Sequence, residues 1–314
     1  MESGSEDLAV QKDLTGLVKS SWSNMLGAGR FHITAIAAVG NLTFGWLFTG
    51  QYQWFLMAVC ALDWFIVNLT NRVVDYEEDQ INRITAAEFV HQKRLLFLGL
   101  GYGTLLASLV LLHFVNPAVT LFRIAFHGLG LVYNWPLLPG RRRLKQAYFF
   151  KNTASAAGFL ITLFCYPLAT LYWNRGAFIF PAGIQAATVA LTAVFFFLFE
   201  LSYEVIYDLR DVAGDRQAGV RTYPVVHGER ITGRIIDGLL LISVMILMGG
   251  YLVRIIPWRI LIMIFAPGIQ YFLYKRFMRR GITSRDCIRL TWLGTAMLTI
   301  YNLWAAAGLP GAEL

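Results

Sequence analysis

The chain has 314 residues, of which 57% are hydrophobic and only 15% are charged, whereas a soluble domain carries about 25% charged residues. This composition excludes an ordinary soluble domain and indicates a polytopic membrane protein. The net charge of +8 does not indicate a nucleic-acid partner, because the basic residues lie in short loops between apolar runs, as in proteins oriented by the insertion machinery.

Long apolar runs divide the chain into predicted membrane spans. A helix needs about 20 mostly apolar residues to cross about 30 Å of hydrocarbon. By this criterion the sequence predicts nine spans, near residues 31–49, 53–74, 92–113, 117–135, 148–170, 182–207, 232–253, 257–275 and 285–307. We expect a polar cytosolic lead-in at 1–30, a transmembrane domain at 31–308 and a short tail at 309–314.

The distribution of Lys and Arg predicts the orientation of these spans. Basic residues crowd the loops after the second, fourth, sixth and eighth spans, whereas the loops on the other side hold only Arg175, Arg254 and Arg259. Cytosolic loops carry the excess of Lys and Arg. We therefore expect the N-terminus and the basic loops in the cytosol and the C-terminus outside.

Two acidic stretches occupy equivalent places in the predicted topology. "NRVVDYEEDQINR" at 71–83 ends the second span, and "ELSYEVIYDLRDVAGDRQAG" at 200–219 ends the sixth. The two spans are four helices apart and run in the same direction. This pattern predicts an all-α protein of two four-helix repeats plus one helix around a central cavity.

Both stretches place their polar residues at helical spacing. Asn71, Asp75 and Asp79 recur every four residues and are expected on one helix face. The second stretch gives one face in the same way, formed by Glu204, Asp208, Asp211 and Asp215.

Carboxylates at a membrane helix end need a compensating charge. Each costs free energy in the bilayer, and like charges on one stripe repel. Because no Lys-rich or Arg-rich span could neutralise them all, we expect Mg²⁺ bound by these oxygens together with a phosphate-bearing ligand. The competing hypothesis is a cation-coupled transporter, although its acids would be expected nearer the middle of the spans.

The two acidic stretches resemble the paired aspartate motifs of the UbiA superfamily of intramembrane prenyltransferases. The first is similar to the pattern Asn-Asp-x-x-Asp-x-x-x-Asp, and "YEVIYDLRDVAGDRQAGVRTYPVVHG" is similar to the second, Asp-x-x-Asp-x-x-x-Asp. "VYNWPLLPGRRRLK" after the fourth span agrees with the same topology. The resemblance extends over about residues 25 to 308. It implies that the transmembrane domain is catalytic.

The resemblance implies roles for individual residues. It predicts two Mg²⁺ ions that bridge the diphosphate of an isoprenyl diphosphate. The implied metal ligands, of which the aspartates are also catalytic, are Asn71, Asp75, Asp79, Asp208, Asp211 and Asp215. The expected contacts of the diphosphate are Arg30, Arg72, Arg83 and Lys145.

Aromatic rings near the acidic helix ends are expected to stabilise the allylic cation that remains after diphosphate leaves. Tyr207 is assigned to catalysis, and the other candidates are Tyr133, Trp135, Tyr203 and the carboxyl of Glu204. A dry pocket is needed, since water would quench the cation.

Three departures from the family pattern bear on the second substrate. Arg72 stands where most members have an Asp, Tyr207 replaces a Lys of archaeal-type members, and the Pro-x-Arg-Pro of acceptor-using members is missing after Asp79. The interpretation preferred here is transfer of the prenyl cation to an aromatic ring, quinone precursor or lipid alcohol. The alternative is a UbiA-type class I terpene cyclase that cyclises farnesyl or geranylgeranyl diphosphate without an acceptor.

Overall fold

The structure is a computed structural model that describes residues 29–82 and 87–308. Within these ranges the chain is helical throughout and has no β-strand, only an isolated bridge between Leu138 and Arg142. The first half comprises α1 (Phe31–Thr49), α2 (Trp54–Val74), α3 (Tyr76–Ile81), α4 (Ala87–Gln92), α5 (Arg94–Val115), α6 (Pro117–Asn134) and α7 (Phe150–Arg175). The second half comprises α8 (Ala186–Gln217), α9 (Tyr223–Leu252), α10 (Trp258–Leu261), α11 (Phe265–Met278) and α12 (Ser284–Ala306).

The helix ends follow local sequence signals. α1 stops at Gly50, which adopts the left-handed conformation (φ 74°) and returns its N–H to the carbonyl of Trp46. α6 starts at Pro117, and the side chain of Asn116 accepts a hydrogen bond from the N–H of Val119. Short turns of this kind place consecutive long helices side by side.

The middle of α7 is locally unwound into a π turn at Ile161–Cys165. Pro167 lies two residues after this turn and lacks the N–H that a regular α-helix would use. The carbonyl of Thr162 accepts a hydrogen bond from Asn41 Nδ2 at 2.7 Å, and its hydroxyl accepts one from Trp64 Nε1 at 3.0 Å. The irregular turn therefore ties α7 to α1 and α2.

Aromatic side chains fill the centre of the bundle. Phe44 lies 4.5 Å from Phe164 and 5.3 Å from Phe196 between ring centroids, which joins α1, α7 and α8. Small residues allow the helices to approach closely at specific points. A Cβ on Gly40 would lie 2.8 Å from Leu163, so only glycine fits there without a shift.

Within the described residues, six helices are long and apolar enough to cross a membrane, namely α1, α2, α5, α7, α8 and α9. On α5 large apolar side chains such as Leu95, Leu111 and Phe114 are exposed, which is the pattern of a lipid-facing surface. The protein is thus an integral membrane protein. The other three predicted spans, 117–135, 257–275 and 285–307, overlap helices that fall short of this criterion, so the count of nine spans and the internal repeat remain predictions.

The backbone conformations of the two acidic stretches differ. α2 ends before Asp75, whose φ of −94° and ψ of 22° separate it from the short helix α3. The N–H of Asp75 still bonds to the carbonyl of Asn71, and the N–H of Asp79 to that of Asp75, so helical spacing is kept. The three polar residues therefore keep one helical register across a backbone break that the sequence did not indicate. By contrast, α8 runs unbroken through the second stretch to Gln217.

Candidate active site

The ends of α2, α3 and α8 surround a cavity of about 560 Å³. The start of α1, the turn at Leu144–Gln146 and parts of α6, α7 and α12 complete its walls. One end of the cavity is rich in charged groups, and the other is apolar. The acidic side chains that line it are Asp75, Glu78, Asp79, Glu200, Glu204, Asp208, Asp211 and Asp215, and they outnumber the basic ones, Arg30, Arg72, Lys145, Lys151 and Arg210.

Asp75 lies at the centre of the first acidic stretch. Its Oδ1 accepts hydrogen bonds from Lys145 Nζ at 2.5 Å and from Arg143 Nη1 at 3.1 Å. The same two cations also bind Glu78, at 2.6 Å and 2.7 Å. The loop after α6 therefore closes onto the end of α2 through two basic side chains.

Burial and charge act in opposite directions on these two carboxyls. Burial raises the pKa of Asp75 above its usual value, although Lys145 opposes the shift. Burial also disfavours ionised Glu78, but Lys145 and Arg143 outweigh it and hold the pKa of Glu78 below its usual range. Glu78 is therefore the more firmly ionised member of the pair.

Asp79 is held by arginines. Its Oδ2 accepts a hydrogen bond from Arg72 Nη1 at 2.8 Å, and Arg30 Nη2 lies 3.9 Å from its other oxygen. Arg72 is buried and lines the cavity, so its side chain does not point to lipid headgroups.

The second acidic stretch is held mainly by α7. Lys151 Nζ lies 2.9 Å from a carboxylate oxygen of Asp208 and 2.9 Å from one of Asp215, and so bridges two turns of α8. Asn152 Nδ2 donates to the other oxygen of Asp208 at 2.8 Å. Asp211 instead pairs with its neighbour Arg210, whose Nε lies 2.6 Å from Oδ1.

The two acidic stretches meet directly. The N–H of Gly214 donates to Asn82 Oδ1 at 3.1 Å. A Cβ at Gly214 would lie 2.4 Å from Asn82 Nδ2, so the close approach of α8 to the end of α3 requires glycine here. Both motifs therefore belong to one site.

Basic side chains from several elements offset part of the carboxylate charge. The neutralising groups do not come from a Lys-rich span. Lys145 and Lys151 come from the loop and helix start that follow α6, and Arg72 and Arg210 come from within the acidic stretches themselves.

The donor set fits Mg²⁺ in chemical type. Carboxylate and amide oxygens are the ligands that this ion prefers, and both motifs present them to the same cavity. The side-chain oxygen of Asn71 is buried and has no hydrogen-bond partner within the described part of the chain. Over the described ranges, no three acids surround a common point as a preformed cage, so the carboxylates would have to exchange basic partners for the ion.

The apolar end of the cavity is built from aromatic rings. The rings of Trp64 and Phe159 are stacked at 4.0 Å, and Phe126 lies 5.2 Å from Trp64. Tyr207 donates or accepts a hydrogen bond with Thr291 Oγ1 at 2.7 Å, and its ring lies 6.0 Å from that of Tyr203. Such walls suit an apolar chain and a developing cation.

With the exception of Trp135, every sequence-predicted site residue that the structure describes lines the cavity. They are Arg30, Asn71, Arg72, Asp75, Asp79, Tyr133, Lys145, Tyr203, Glu204, Tyr207, Asp208, Asp211 and Asp215. Arg83 lies outside the described residues. Trp135 is not in the lining and donates instead to Tyr102 OH at 3.1 Å.

Sequence reasoning missed Arg143, Lys151, Arg210 and Glu200 as parts of the site. A signal was present for two of them. Lys151 interrupts the apolar run "YFFKNTASAAGFL", and Glu200 interrupts "FFFLFELSY". A charged residue inside a span is by itself a reason to suspect a function.

The solved structures that this chain resembles have the same fold. A UbiA homolog from Archaeoglobus fulgidus bound to GPP and Mg²⁺ superimposes with a TM-score of 0.64 at 15% identity, over 90% of this chain and 98% of that one. A digeranylgeranylglyceryl phosphate synthase structure gives 0.52 at 16% identity, over 94% of this chain and 99% of that one.

Sequence relatives give a similar result. Digeranylgeranylglyceryl phosphate synthase of Methanobrevibacter smithii is 26% identical over 164 residues, 51% of this chain and 55% of the relative. The enzyme of the same name from Pyrococcus abyssi is 28% identical over 167 residues, 52% of each chain. The matched region thus spans about half the length of these curated relatives. Residues 30–307 match the UbiA prenyltransferase family, and the chain belongs to that family.

Proposed function

We propose that this protein is a Mg²⁺-dependent intramembrane enzyme that ionises an isoprenyl diphosphate and transfers the prenyl cation to an acceptor. The observation that carries the proposal is the division of one cavity into a charged end, where both aspartate motifs meet, and an aromatic end. Membership of the UbiA prenyltransferase family supports it. So does the binding of GPP and of DMAPP with Mg²⁺ by homologous structures.

In the proposed mechanism the diphosphate lies between the two acidic helix ends. Asn71, Asp75, Asp79, Asp208, Asp211 and Asp215 would hold two Mg²⁺ ions, which supply positive charge to the leaving diphosphate. The basic side chains now paired with these carboxylates are then available to the phosphate oxygens. Arg72 offers a planar fork suited to such oxygens. Lys145 beside the first motif and Lys151 beside the second offer point charges.

The aromatic end of the cavity would hold the prenyl chain. Trp64, Phe126 and Phe159 exclude water from the allylic cation. Tyr133, Tyr203 and Tyr207 present rings, and Glu204 presents a carboxyl, between this region and the diphosphate end. Their position suits stabilisation of positive charge on carbon.

The chemical class of the acceptor is also part of the proposal. The relatives are named for a glyceryl phosphate product, which favours a lipid alcohol over an aromatic ring or quinone precursor. A second candidate is cyclisation without an acceptor. It is favoured by the placement of Arg72 and Tyr207, the two departures from the family pattern, inside the cavity itself.

We further propose the topology predicted from the basic residues. Nine spans would place the N-terminus and the active-site loops in the cytosol, so that a soluble diphosphate headgroup enters from that side. Single cysteines at 141–145 should then react with a membrane-impermeant thiol reagent only after cells are opened. Labelling of intact cells would contradict this topology.

The reaction is tested with purified protein, Mg²⁺ and geranyl, farnesyl or geranylgeranyl diphosphate, with and without a lipid alcohol or a phenol. We expect release of pyrophosphate that EDTA abolishes, and a prenylated acceptor. Product without any acceptor would favour cyclisation. Cation flux in liposomes with no chemical change in the lipid would support the transporter hypothesis instead.

A further inference from the structure

Glu200 is a carboxylic acid in the cavity to which no role has been assigned. It lies on α8, is only 7% exposed and contributes to the cavity wall. The seven other acids of the cavity each have a hydrogen-bond or salt-bridge donor. Glu204, for example, accepts from Ser155 Oγ at 2.7 Å. Within the described part of the chain Glu200 has neither a hydrogen bond nor a salt bridge.

A buried carboxyl without a donor is costly. Burial of a polar group without a compensating hydrogen bond costs several kcal/mol by transfer measurements, and about 1–3 kcal/mol in mutational data. Glutamine or an apolar residue would avoid the charge. A carboxyl retained at such a place, facing open volume, indicates a group that interacts with something bound there.

The position of Glu200 along α8 separates it from the diphosphate end. It precedes Asp208 by eight residues, and a helix rises about 1.5 Å per residue, so the two side chains start about 12 Å apart along the axis. Glu200 therefore lies beside the prenyl chain, not beside the carbon that loses diphosphate. A base for an acceptor attacking that carbon would be expected about one turn from Asp208, where Glu204 stands.

The side chains between Glu200 and Asp208 favour movement of positive charge along the chain. Tyr203 and Tyr207 lie on the same helix with ring centroids 6.0 Å apart, and both line the cavity. Ring faces attract cations. A cation formed at the diphosphate end and transferred to a more distant carbon would pass these rings before it comes to Glu200.

We infer that Glu200 is the base that ends an intramolecular reaction of the prenyl chain, on a substrate of at least geranyl length. The inference rests on the ionisation proposed above, and it selects the acceptor-free fate of the cation.

The bond changes balance without a further reactant. The C–O bond to diphosphate breaks and its electron pair leaves with pyrophosphate. The π pair of a distal double bond forms a new C–C bond, which leaves the positive charge on a carbon further along the chain. A C–H bond beside that carbon then breaks, its electron pair becomes a double bond, and the proton passes to the carboxylate of Glu200. The products are a cyclic olefin and pyrophosphate, with one proton released to water.

The test uses the full-length protein in detergent or nanodiscs, with Mg²⁺ and farnesyl or geranylgeranyl diphosphate and no acceptor. Pyrophosphate release and olefin yield are measured in parallel for the wild type, Glu200→Gln and Glu200→Asp. Thr192→Val is the matched control, because Thr192 lies on the same helix two turns away, outside the cavity, and bonds only to the carbonyl of Thr188.

We expect Glu200→Gln to release pyrophosphate at a rate similar to that of the wild type. The yield of cyclic olefin should fall about a hundredfold, the lower end of the range for loss of a general base. The yield of alcohols or acyclic olefins should rise. Glu200→Asp should restore part of the olefin, and Thr192→Val should match the wild type.

Three results would overturn the inference. In the first, Glu200→Gln keeps the olefin profile, as expected if pyrophosphate itself takes the proton. In the second, olefin and pyrophosphate release fall together in both Glu200 variants, as expected of a structural role. In the third, the wild type releases pyrophosphate but forms product only with an acceptor, which leaves the transferase proposal intact. If the wild type releases no pyrophosphate from any prenyl diphosphate, the proposed ionisation itself fails, and the inference fails with it.

Discussion

The cluster around Asp63 and the cavity at the helix ends both contain buried carboxylates, but only those of the cavity border open volume. Asp63 on α2 and Arg123 on α6 are both fully buried. Both oxygens of Asp63 accept hydrogen bonds from the guanidinium of Arg123, Oδ1 from Nη2 at 2.6 Å and Oδ2 from Nε at 2.9 Å. Asp63 also accepts one from His127 Nε2 at 2.9 Å and one from Tyr166 OH at 2.8 Å. None of these four side chains lines the cavity.

The difference shows how one bundle uses buried charge for two purposes. Around Asp63 of α2 the protein itself provides fixed partners from α6 and α7, so the cluster can hold the three helices in register. In the cavity the partners are long Lys and Arg side chains beside empty space, which can turn to a ligand without disturbing the helices. Substitutions in the two regions should therefore separate stability from activity.

The largest effect is expected at Asp63. Asp63→Ala leaves the guanidinium of Arg123 buried without its carboxylate, and loss of one partner of a buried ion pair costs about 3–5 kcal/mol. Denaturant unfolding in detergent should show this loss. Asp63→Leu combined with Arg123→Met removes both charges and should recover most of the stability. Equal stability of Asp63→Ala and the wild type would contradict the assignment.

Asp211 should behave in the opposite way. Its partner Arg210 is adjacent on the same helix and stacks over Tyr207, so Asp211→Ala should leave the fold intact. Pyrophosphate release should fall about 10²–10³-fold, the loss typical of an electrostatic group at a reaction centre. Near-normal turnover would show that the second motif does not bind the diphosphate through this residue.

Arg72 should give a smaller effect on substrate binding. Arg72→Ala removes the 2.8 Å contact with Asp79 and the proposed phosphate contact, and a hydrogen bond to a charged group is worth about 1.5–3 kcal/mol. We expect the KM for the diphosphate to rise about tenfold or more. Arg72→Lys keeps the positive charge but loses the planar guanidinium, so its KM should lie between that of the wild type and that of Arg72→Ala. Arg72→Asp, the common family residue, should report on product choice. An unchanged KM in Arg72→Ala would exclude a role in diphosphate binding.

Tyr207→Phe should have the smallest effect. It removes the hydrogen bond to Thr291 and keeps the ring, so about 1 kcal/mol of stability should be lost while pyrophosphate release changes little. Thr291→Val removes the same hydrogen bond through its other partner. It should lose as much stability as Tyr207→Phe in unfolding measurements. A much greater loss of activity in Tyr207→Phe would assign catalysis to the hydroxyl instead of the ring.

The sequence was sufficient to predict the features of the fold that depend on residue periodicity and span length. Apolar runs predicted the helices, and four-residue spacing predicted that Asn71, Asp75 and Asp79 share one helix face. The equivalent places of the two acidic stretches in the topology predicted that their helix ends face each other across a cavity. The sequence was not sufficient for contacts between distant segments. The hydrogen bond between Gly214 and Asn82 and the bridge from Lys151 to Asp208 depend on how the helices pack, which no local pattern records.

Two features of the structure were not predicted from the sequence, for different physical reasons. The break at Asp75 was missed because Asn71, Asp75 and Asp79 keep helical spacing across it. The Asp63 cluster was missed because a single acid inside an apolar run gives no sign of its partner sixty residues away.

The central claim is that the two acidic helix ends act as one Mg²⁺-dependent site on one diphosphate. A kinetic cycle tests it most directly, with pyrophosphate release measured for the wild type, Asp75→Ala, Asp211→Ala and the double variant. Glu78 still pairs with Lys145 in Asp75→Ala, so the protein should fold. Residues that act as a unit are strongly non-additive, so the double variant should be hardly slower than either single variant. Independent losses that multiply in the double variant, or EDTA-resistant release by the wild type, would contradict the claim.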